Sequence, residues 1–271
     1  MSGRKAFTLI ELTVVIGITM VMAGIFLPGL NMAREFGRRT ACTGNLMQLS
    51  LAWVTYAGEN DGHLVNGMAG IDRVDNSTKP PTILEKAWVG KVDWEWTRRR
   101  QIYGDTIEEG IRNGALWKYL KIPKVYRCPA GRVGHYVSYA IVDSMNGMAQ
   151  KGTQADKVWA NKRGDFSRAE ERIVFIDIGM ARSSSYHVYY HQATWADPPP
   201  VRHRNGATIS FADTHSEYVK WKGIDTINFG RSDQWDDKRT YPDRRPQSPE
   251  GRKDLEQMQR SVYGKLGYTP P

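Results

Sequence analysis

The feature that most constrains this chain is an apolar run close to its N-terminus. The segment from Leu12 to Leu30 contains no charged residue, and the basic pair Arg4-Lys5 precedes it. A helix rises about 1.5 Å per residue, so a helical run of this length covers the ~30 Å hydrocarbon core of a bilayer. The run predicts one membrane-spanning helix, and the basic pair favours a cytoplasmic N-terminus.

Glu11 is the carboxylate that borders this run and needs an explanation. A charged side chain costs about 2.5–3.5 kcal/mol near the centre of a bilayer and less toward its edge. One interpretation is that Glu11 lies at the cytoplasmic edge and reaches toward the headgroups. The other is that Glu11 pairs with a positive charge inside a protein interface.

The residues around Glu11 resemble the processing site of type IV prepilins and type II secretion pseudopilins. The resemblance is carried by RKA at 4–6 followed by FTLIE at 7–11. In that family a membrane-embedded prepilin peptidase cuts before the Phe, and the new amine is methylated. The resemblance implies cleavage between Ala6 and Phe7, with Glu11 neutralising the Phe7 amine of a neighbouring subunit during assembly. Ala6 stands where the family usually has Gly, which would slow processing.

An ordinary secretory signal is the competing interpretation of the same stretch. It requires an apolar core of about 7–15 residues followed by a small-x-small cleavage site. The candidate site, around Ala23-Gly24, lies inside the apolar run. Because this interpretation leaves Glu11 unexplained, the prepilin interpretation is preferred.

The helical pattern continues beyond the apolar run. Leu46, Leu49 and Trp53 recur at helical spacing, and the segment 59–62 (ENDG) is a stop signal. The sequence therefore predicts a helix of roughly 50 residues, apolar all round in its first half and on one side in its second. The predicted divisions are a leader at 1–6, a transmembrane or filament-core helix at 7–30, its amphipathic continuation at 31–60, an exported β-rich head at 61–230 and a charged C-terminal tail at 231–271.

Short strand-like segments predict antiparallel β-structure in the head. The strand candidates are 136–142, 172–178 and the hairpin 205–219, with 125–129 as a short strand leading into a turn. In the tail, Ser248-Pro249 predicts the start of a short peripheral helix. The fold class is therefore α+β and pilin-like, with the sheet packed on the second half of the long helix.

A second resemblance concerns the head. The segments 42–49 and 56–62 are similar to the start of the head in a large bacterial group of prepilin-like proteins, whose heads end with a His, nine residues, Asp-Gly motif. His203 and Asp213 keep that spacing, but Thr214 replaces the Gly. A two-residue type I′ turn needs positive φ at both positions, which a β-branched residue disfavours. A different turn type or one extra loop residue is therefore predicted.

Cys42 and Cys128 are the two cysteines of the chain. In an exported, oxidising compartment a disulfide between them is the natural hypothesis, and closing so long a loop is worth about 4–5 kcal/mol in the chain-entropy model. Two buried free thiols are the alternative, because the sequence does not give their separation. The sequence carries no CxxC or Cys/His cluster of zinc type.

His203, Asp213 and His215 form a candidate metal constellation, since two imidazoles and a carboxylate can bind zinc. The preferred interpretation is structural: Asp213 caps its turn through its own backbone, and His203 bonds back to that loop. A calcium loop is a weaker alternative, because its members do not fit the EF-hand spacing. Those members are Asp61, Asp72, Asp75 and Asn76.

Searches for enzyme signatures find none. The sequence has no Gly-rich phosphate loop, no G-x-S-x-G elbow and no HExxH motif, so the chain is predicted not to be an enzyme and to need no cofactor. The net charge of +9 would suit an anionic partner, although a generically basic surface is the preferred interpretation. Arg98-Arg99-Arg100 is the densest basic run, and three charges are too few to predict nucleic-acid binding.

Together the two resemblances imply a structural subunit, or an accessory component, of a type IV pilus-like or type II secretion pseudopilus fibre. The expected partners are prepilin peptidase, other pilin-like subunits and the inner-membrane assembly machinery. The expected location is the inner membrane, with a single span and an exported head. The alternatives are a membrane-anchored protein that binds polysaccharide or DNA without polymerising, and a metal-dependent exported enzyme centred on His203 and Asp213.

Overall fold

The long N-terminal helix is present and has the predicted length. The computed structural model describes residues 7–90, 104–131, 136–148, 158–179, 184–232 and 244–270. Helix α1 runs over Leu9–Glu59 and has 51 residues. It begins with a capping box, in which Thr8 and Glu11 each bond the other's backbone N–H. It ends at the predicted stop signal, where Asp61 and Gly62 both have left-handed backbone, with φ values of 52° and 78°.

The two halves of α1 differ in what they contact. Apolar side chains in the first half, from Phe7 to Phe36, are exposed to solvent in the isolated chain. Cys42 is the first buried residue on the described part of the helix. From there the buried residues recur at helical spacing and form part of the core; they are Cys42, Leu46, Leu49, Trp53 and Ala57. The predicted change from an all-round apolar helix to a one-sided helix is confirmed.

A four-stranded antiparallel sheet packs against the second half of α1. Its strands lie in chain order and are β3 (Tyr139–Ile141), β4 (Ile173–Asp177), β5 (Gly206–Phe211) and β6 (Ser216–Lys220). A separate two-stranded sheet joins β1 (Arg73–Asp75) to β2 (Thr82–Glu85). Every residue of β4 and β5 is buried, so both faces of these strands are covered. The α+β fold and the predicted hairpin are confirmed.

The other helices complete the head. They are α2 (Gly104–Arg112), α3 (Ile224–Arg231) and α4 (Pro249–Tyr263), with short 3-10 turns at Ala115–Lys118, Pro123–Tyr126, Arg163–Asp165 and Ala169–Glu171. Helix α4 begins at the predicted cap, Ser248, whose side chain accepts from Gly251 N. It is not peripheral, because Leu255, Met258 and Val262 are buried in the same core as the sheet.

The strand predicted at 125–129 is wrong at its start, since Val125 and Tyr126 belong to a 3-10 turn that opens at Pro123. Proline at the first position of a helical turn has its φ already set and lacks a donor that would be unsatisfied there.

Three predictions concern residues outside the described part of the chain. They are those on Ala6, the leader at 1–6 and Arg98-Arg99-Arg100.

Candidate functional site

The first half of α1 presents an apolar surface with no cover from the rest of the described chain. Phe7 and Leu9 are each 79% exposed, and Ile25 is 72% exposed. The most apolar stretch of this helix has a mean hydropathy of 2.3 and is 0% buried. This stretch is long and apolar enough to cross a membrane, and a signal segment near the N-terminus would meet the same criteria of length and composition.

Glu11 has a partner within its own chain. Its Oε2 accepts from Thr8 N at 2.8 Å and from Thr8 Oγ1 at 2.8 Å. These bonds occupy two donors at the start of the helix, where backbone N–H groups have no intrahelical acceptor. Phe7 directly precedes this cap. The cleavage at Ala6-Phe7 and the pairing of Glu11 with a neighbour's amine stay predictions.

Where α1 enters the head, four side chains of types that bind metals converge. Cys42 comes from α1, Cys128 follows the Pro123–Tyr126 turn, Asp177 ends β4 and His203 precedes β5. One ligand atom from each lies within 4.8 Å of the others, and all four residues are buried. We call this group the Cys-Cys-Asp-His cluster.

The turn after Cys128 fixes the position of its thiol. Gly131 N donates to Cys128 O at 2.7 Å, and Ala130 N donates to Cys128 Sγ at 3.3 Å. On the facing helix, Asn45 Nδ2 donates to Arg127 O at 3.0 Å. The backbone on both sides of Cys128 is therefore tied, one side to its own turn and the other to α1.

His203 lies in a left-handed turn. The φ values of His203, Arg204 and Asn205 are 49°, 65° and 67°. Left-handed backbone costs an L-residue about 1–2 kcal/mol, and it persists where surrounding contacts hold it in place. The turn directs the His203 ring into the cluster, with its side chain 0% exposed.

Asp177 is held at the end of β4 by the loop that follows. Gly179 N donates to Asp177 Oδ1 at 2.9 Å, and Arg202 Nε lies 3.4 Å from Asp177 Oδ2. Gly179 has a φ of 74°, and a Cβ there would collide with the Arg202 guanidinium. Glycine is therefore favoured at this position, both by its left-handed backbone and by the close approach of the Arg202 side chain.

The distances within the cluster are those of direct contacts. His203 Nε2 lies 3.2 Å from Cys128 Sγ and 3.4 Å from Asp177 Oδ2. Cys42 Sγ donates to Asp177 Oδ2 at 3.3 Å. The other ring nitrogen, His203 Nδ1, lies 2.8 Å from Glu35 Oε1 on α1. An ionised carboxylate only accepts hydrogen bonds, so this contact places a proton on Nδ1 and directs Nε2 to the cluster.

The buried groups shift one another's pKa values. Burial favours a neutral His203, yet hydrogen bonds with Asp177 and Cys128 raise the pKa of His203 to about 10. Burial also opposes ionisation of Asp177, but the His203 hydrogen bond and the Arg202 charge lower the pKa of Asp177. These contacts favour an ionised acid beside a charged imidazole.

The pKa values of the two thiols shift in opposite directions. Hydrogen bonds from Cys42 and His203 lower the pKa of Cys128 to about 7. Burial acts in the opposite direction but does not outweigh these bonds. Burial raises the pKa of Cys42, and its contact with Cys128 acts in the same direction. Cys128 is therefore the thiol that ionises first, while Cys42 keeps its proton and donates it.

A second layer of polar groups surrounds Cys42. Thr208 Oγ1 lies 2.9 Å from its Sγ, and Tyr139 OH donates to the same sulfur at 3.3 Å. Tyr139 OH also accepts from Asn45 Nδ2 at 3.3 Å. These contacts connect α1 with β3 and β5 at one buried point.

Comparisons with protein-family models, with curated proteins and with solved structures find no match to this chain. The architecture itself, a long apolar N-terminal helix packed on an antiparallel sheet, is consistent with a pilin-like protein.

The structure brings Cys42 and Cys128 together as free, buried thiols. The two cysteines are 86 positions apart in the sequence but close together in space, as the disulfide hypothesis requires. The bond between them stays a prediction, as does the compartment on which it depends.

His203, Asp213 and His215 are not brought to one point. The six residues of β5 separate His203 from the turn, and a strand of that length spans about 20 Å. Asp213 Oδ1 accepts from His215 N at 3.1 Å and contacts His215 Nδ1 at 2.6 Å. Asp213 therefore caps its own turn, while His203 bonds to the cluster instead of to that loop.

The turn at Asp213 has a three-residue loop. Thr214 N donates to Phe211 O at 2.9 Å, and Phe211 N donates to His215 O at 2.9 Å. Thr214 alone among the loop residues has a positive φ, of 83°. Such loops combine a type I turn with one left-handed residue. The expected departure from a two-residue turn is therefore present.

The calcium alternative gains no site among the described residues. Asp72 Oδ1 accepts from Ala87 N at 2.7 Å, 15 positions away, and Asp75 Oδ1 accepts from Ser77 N at 2.8 Å within its own turn, so each carboxylate binds a backbone N–H. In the part of the chain that the structure describes, the Cys-Cys-Asp-His cluster is the one group of three or more Cys, His, Asp or Glu side chains close enough to share an ion.

Sequence reasoning missed Asp177, Glu35 and Arg202. Asp177 could have been recognised from the sequence, because it is a carboxylate at the end of the apolar run 173–177, where burial without a partner would be costly. The sequence gives no such indication for Glu35 or Arg202, because a charged residue on an exposed helix or in a loop is ordinary.

Proposed function

We propose that this protein is a pilin-like structural subunit, major or accessory, of a type IV pilus-like or type II secretion pseudopilus fibre. The observation that carries the proposal is the division of α1. Its first half exposes apolar side chains all round, whereas its second half is buried in a folded head. A helix that is apolar all round needs lipid or other helices around it, and fibre assembly exchanges the first for the second.

Maturation by prepilin peptidase supplies the step between membrane and fibre. The motif RKA followed by FTLIE supports cleavage between Ala6 and Phe7 and methylation of the Phe7 amine. Before assembly the subunit resides in the inner membrane, with its N-terminus in the cytoplasm and its head exported. The assembly machinery then extracts the cleaved subunit.

Glu11 serves both the helix start and the neighbouring subunit in this proposal. Both described bonds from Thr8 go to Glu11 Oε2. A carboxylate accepts on two oxygens, so Oε1 can accept from the Phe7 amine of a neighbour. Pairing these charges within the filament core removes the cost of a lone carboxylate among apolar helices.

Crosslinking in native membranes tests assembly directly. Paired cysteines at exposed positions of one helix side, Ile18→Cys and Ile25→Cys, should give an ordered ladder of crosslinked subunits upon oxidation. A membrane-anchored binding protein that does not polymerise would give no ladder beyond dimers, and that result would overturn the proposal.

Glu11→Gln separates the two roles of this side chain. Glutamine can still close a capping box, but it carries no charge. We expect Glu11→Gln to abolish the ladder, while Thr8→Ala, which removes the cap and keeps the charge, should leave it. The mass of the cell-derived N-terminus should correspond to a start at Phe7 with one added methyl group. A mature chain that begins at Met1 contradicts the maturation step.

A further inference from the structure

We propose that Cys42, Cys128, Asp177 and His203 form a structural zinc site that joins α1 to the sheet. This inference concerns the head alone and does not depend on assembly into a fibre. It rests on four features of the Cys-Cys-Asp-His cluster: ligand geometry, the partners of the ligands, the balance of charge and the closure of the site.

Three of the six separations between the ligand atoms are close to those of a tetrahedral zinc site. Zinc binds sulfur at about 2.3 Å and nitrogen or oxygen at about 2.0–2.2 Å, so the edges of its tetrahedron measure about 3.3–3.8 Å. The three contacts between Cys128, His203, Asp177 and Cys42 measure 3.2, 3.4 and 3.3 Å. The remaining separations are within 4.8 Å. Small shifts of side chains suffice to place one ion among the four atoms.

The ligands have the outer partners of a metal site. Glu35 accepts from His203 Nδ1 at 2.8 Å, which orients Nε2 toward the cluster. Metal-binding histidines usually donate their other ring N–H to a carboxylate, a carbonyl or water in this way. Thr208 and Tyr139 contact the Cys42 sulfur, and Gly179 N donates to the second Asp177 oxygen. Each of these partners stabilises a deprotonated ligand.

The charges of the ligands balance when zinc is bound. Two thiolates and the Asp177 carboxylate carry three negative charges, which Zn²⁺ and the nearby Arg202 guanidinium neutralise. Glu35, the outer partner of His203, is not part of this count, and its side chain is 22% exposed to solvent. Arg202 Nε lies 3.4 Å from Asp177 Oδ2. Neutral pairing matters because Asp177 is 0% exposed, and an uncompensated charge in such a place is strongly destabilising.

The ligand types and the closure of the site indicate zinc in a structural role. Thiolate ligands select zinc over calcium or magnesium, which prefer oxygen. All four positions of the tetrahedron are filled by protein, and each ligand residue is buried. Catalytic zinc keeps an open position for water or substrate, whereas structural zinc does not.

Zinc would also explain why the left-handed turn at His203 persists. Three consecutive residues without glycine have left-handed φ there, and such strain requires strong local restraint. A Zn–N bond to His203, together with bonds to α1, to the Cys128 turn and to β4, would supply that restraint. The site would therefore fix α1 to the head close to where the exposed half of the helix ends.

Metal content and thiol state of the purified chain test the proposal. The full chain, purified in detergent without chelators, should contain about one zinc per chain by elemental mass spectrometry. Its intact mass should show both cysteines reduced. Replacement of zinc by Co²⁺ should give thiolate-to-cobalt charge transfer and the intense visible bands of tetrahedral cobalt. A cell-derived chain whose mass shows a Cys42–Cys128 disulfide would overturn the proposal.

Variants assign the metal to this cluster. Cys128→Ser should reduce bound zinc at least tenfold and abolish the charge-transfer band. Because this variant could fail to fold, Glu35→Gln, at the edge of the cluster, provides the second test. Loss of a carboxylate partner of a histidine ligand weakens metal binding by about 10–100-fold, measurable by competition with a chromogenic chelator. His215→Asn, at the exposed turn, is the matched control and should bind zinc as the unaltered protein does.

Two results would refute the site. One is the failure of the reduced chain to take up zinc or cobalt when either ion is added at equimolar concentration. The other is zinc binding that Glu35→Gln and Cys128→Ser leave unchanged but His215→Asn removes, which would place the ion at the Asp213 turn.

Discussion

The two halves of α1 are one continuous helix with opposite relations to the rest of the protein. In the second half, Leu49 is 0% exposed and packs into the head, whereas in the first half Leu27 is 60% exposed. The backbone is helical in both, so the difference lies in the side chains that share the helix with each leucine. Helix formation alone therefore does not decide what a helix does; the distribution of its apolar residues does.

The largest effect should come from truncating a leucine in each half. Leu49→Ala should lower the free energy of unfolding of the head by about 2–5 kcal/mol, because it leaves a cavity in the core. Leu27→Ala should change it by less than about 0.5 kcal/mol, since this side chain is 60% exposed and packs on none of the described residues of the head. Urea unfolding of the full chain in detergent, followed by near-ultraviolet circular dichroism, measures both.

Leu51→Ala is the matched control within the buried half. Leu51 is 58% exposed although it lies two positions from Leu49. If Leu51→Ala or Leu27→Ala destabilised the head as much as Leu49→Ala, the division of α1 into an assembly half and a head half would be wrong.

The stability of the head also depends on hydrogen bonds to a carboxyl group that titrates, Asp225. Asp225 accepts from Gln247 N at 2.7 Å and from Ser248 N at 2.8 Å, and these bonds fix the start of α4. Although burial disfavours its charge, a hydrogen bond from Ser248 Oγ together with these backbone bonds lowers the pKa of Asp225. A carboxyl with a lowered pKa in the folded state contributes stability above the pKa of the unfolded chain, about 3.9. That contribution is lost as the pH falls through the folded pKa.

Asp225→Asn should therefore destabilise the head by about 1–2 kcal/mol at neutral pH, since the carboxylate is only partly buried. The difference between variant and unaltered protein should shrink as the pH falls from about 4, where Asp225 of the unfolded chain becomes protonated, through the lower pKa of Asp225 in the folded protein. Urea unfolding at several pH values measures it. A difference that stays constant across this range would show that the charge of Asp225 is not what holds α4.

Patterns within a few residues of sequence predicted most of the fold. The apolar spacing predicted the length of α1, Ser248-Pro249 predicted the start of α4, and the alternation around Asp213 predicted the hairpin. Each depends on a residue's immediate neighbours, which the sequence shows directly. The burial of α4 was not predicted, because its polar face is typical of a surface helix and the sequence does not show the sheet that the helix covers.

The cluster could be predicted only in part, for a physical reason. Cys42, Cys128 and His203 could be singled out by residue type, but their meeting point depends on how the sheet packs on α1. The Glu35–His203 contact joins residues 168 positions apart. No local pattern encodes such a distance, and Glu35 appears in the sequence as an ordinary helix carboxylate.

The smallest effect concerns the turn at the far end of β5 from the cluster. Thr214 has a φ of 83°, which costs a β-branched residue about 1–3 kcal/mol. Thr214→Gly removes this strain but gives the unfolded chain more freedom, a loss of about 0.5–1 kcal/mol. The net result should be a gain of about 0.5–1 kcal/mol in the unfolding free energy of the head. Ala212→Gly, in the same loop but without positive φ, should have the opposite sign, because it adds freedom without relieving strain. Urea midpoints of the two variants measure both effects, and a stabilising Ala212→Gly or a destabilising Thr214→Gly would show that strain at Thr214 does not limit this turn.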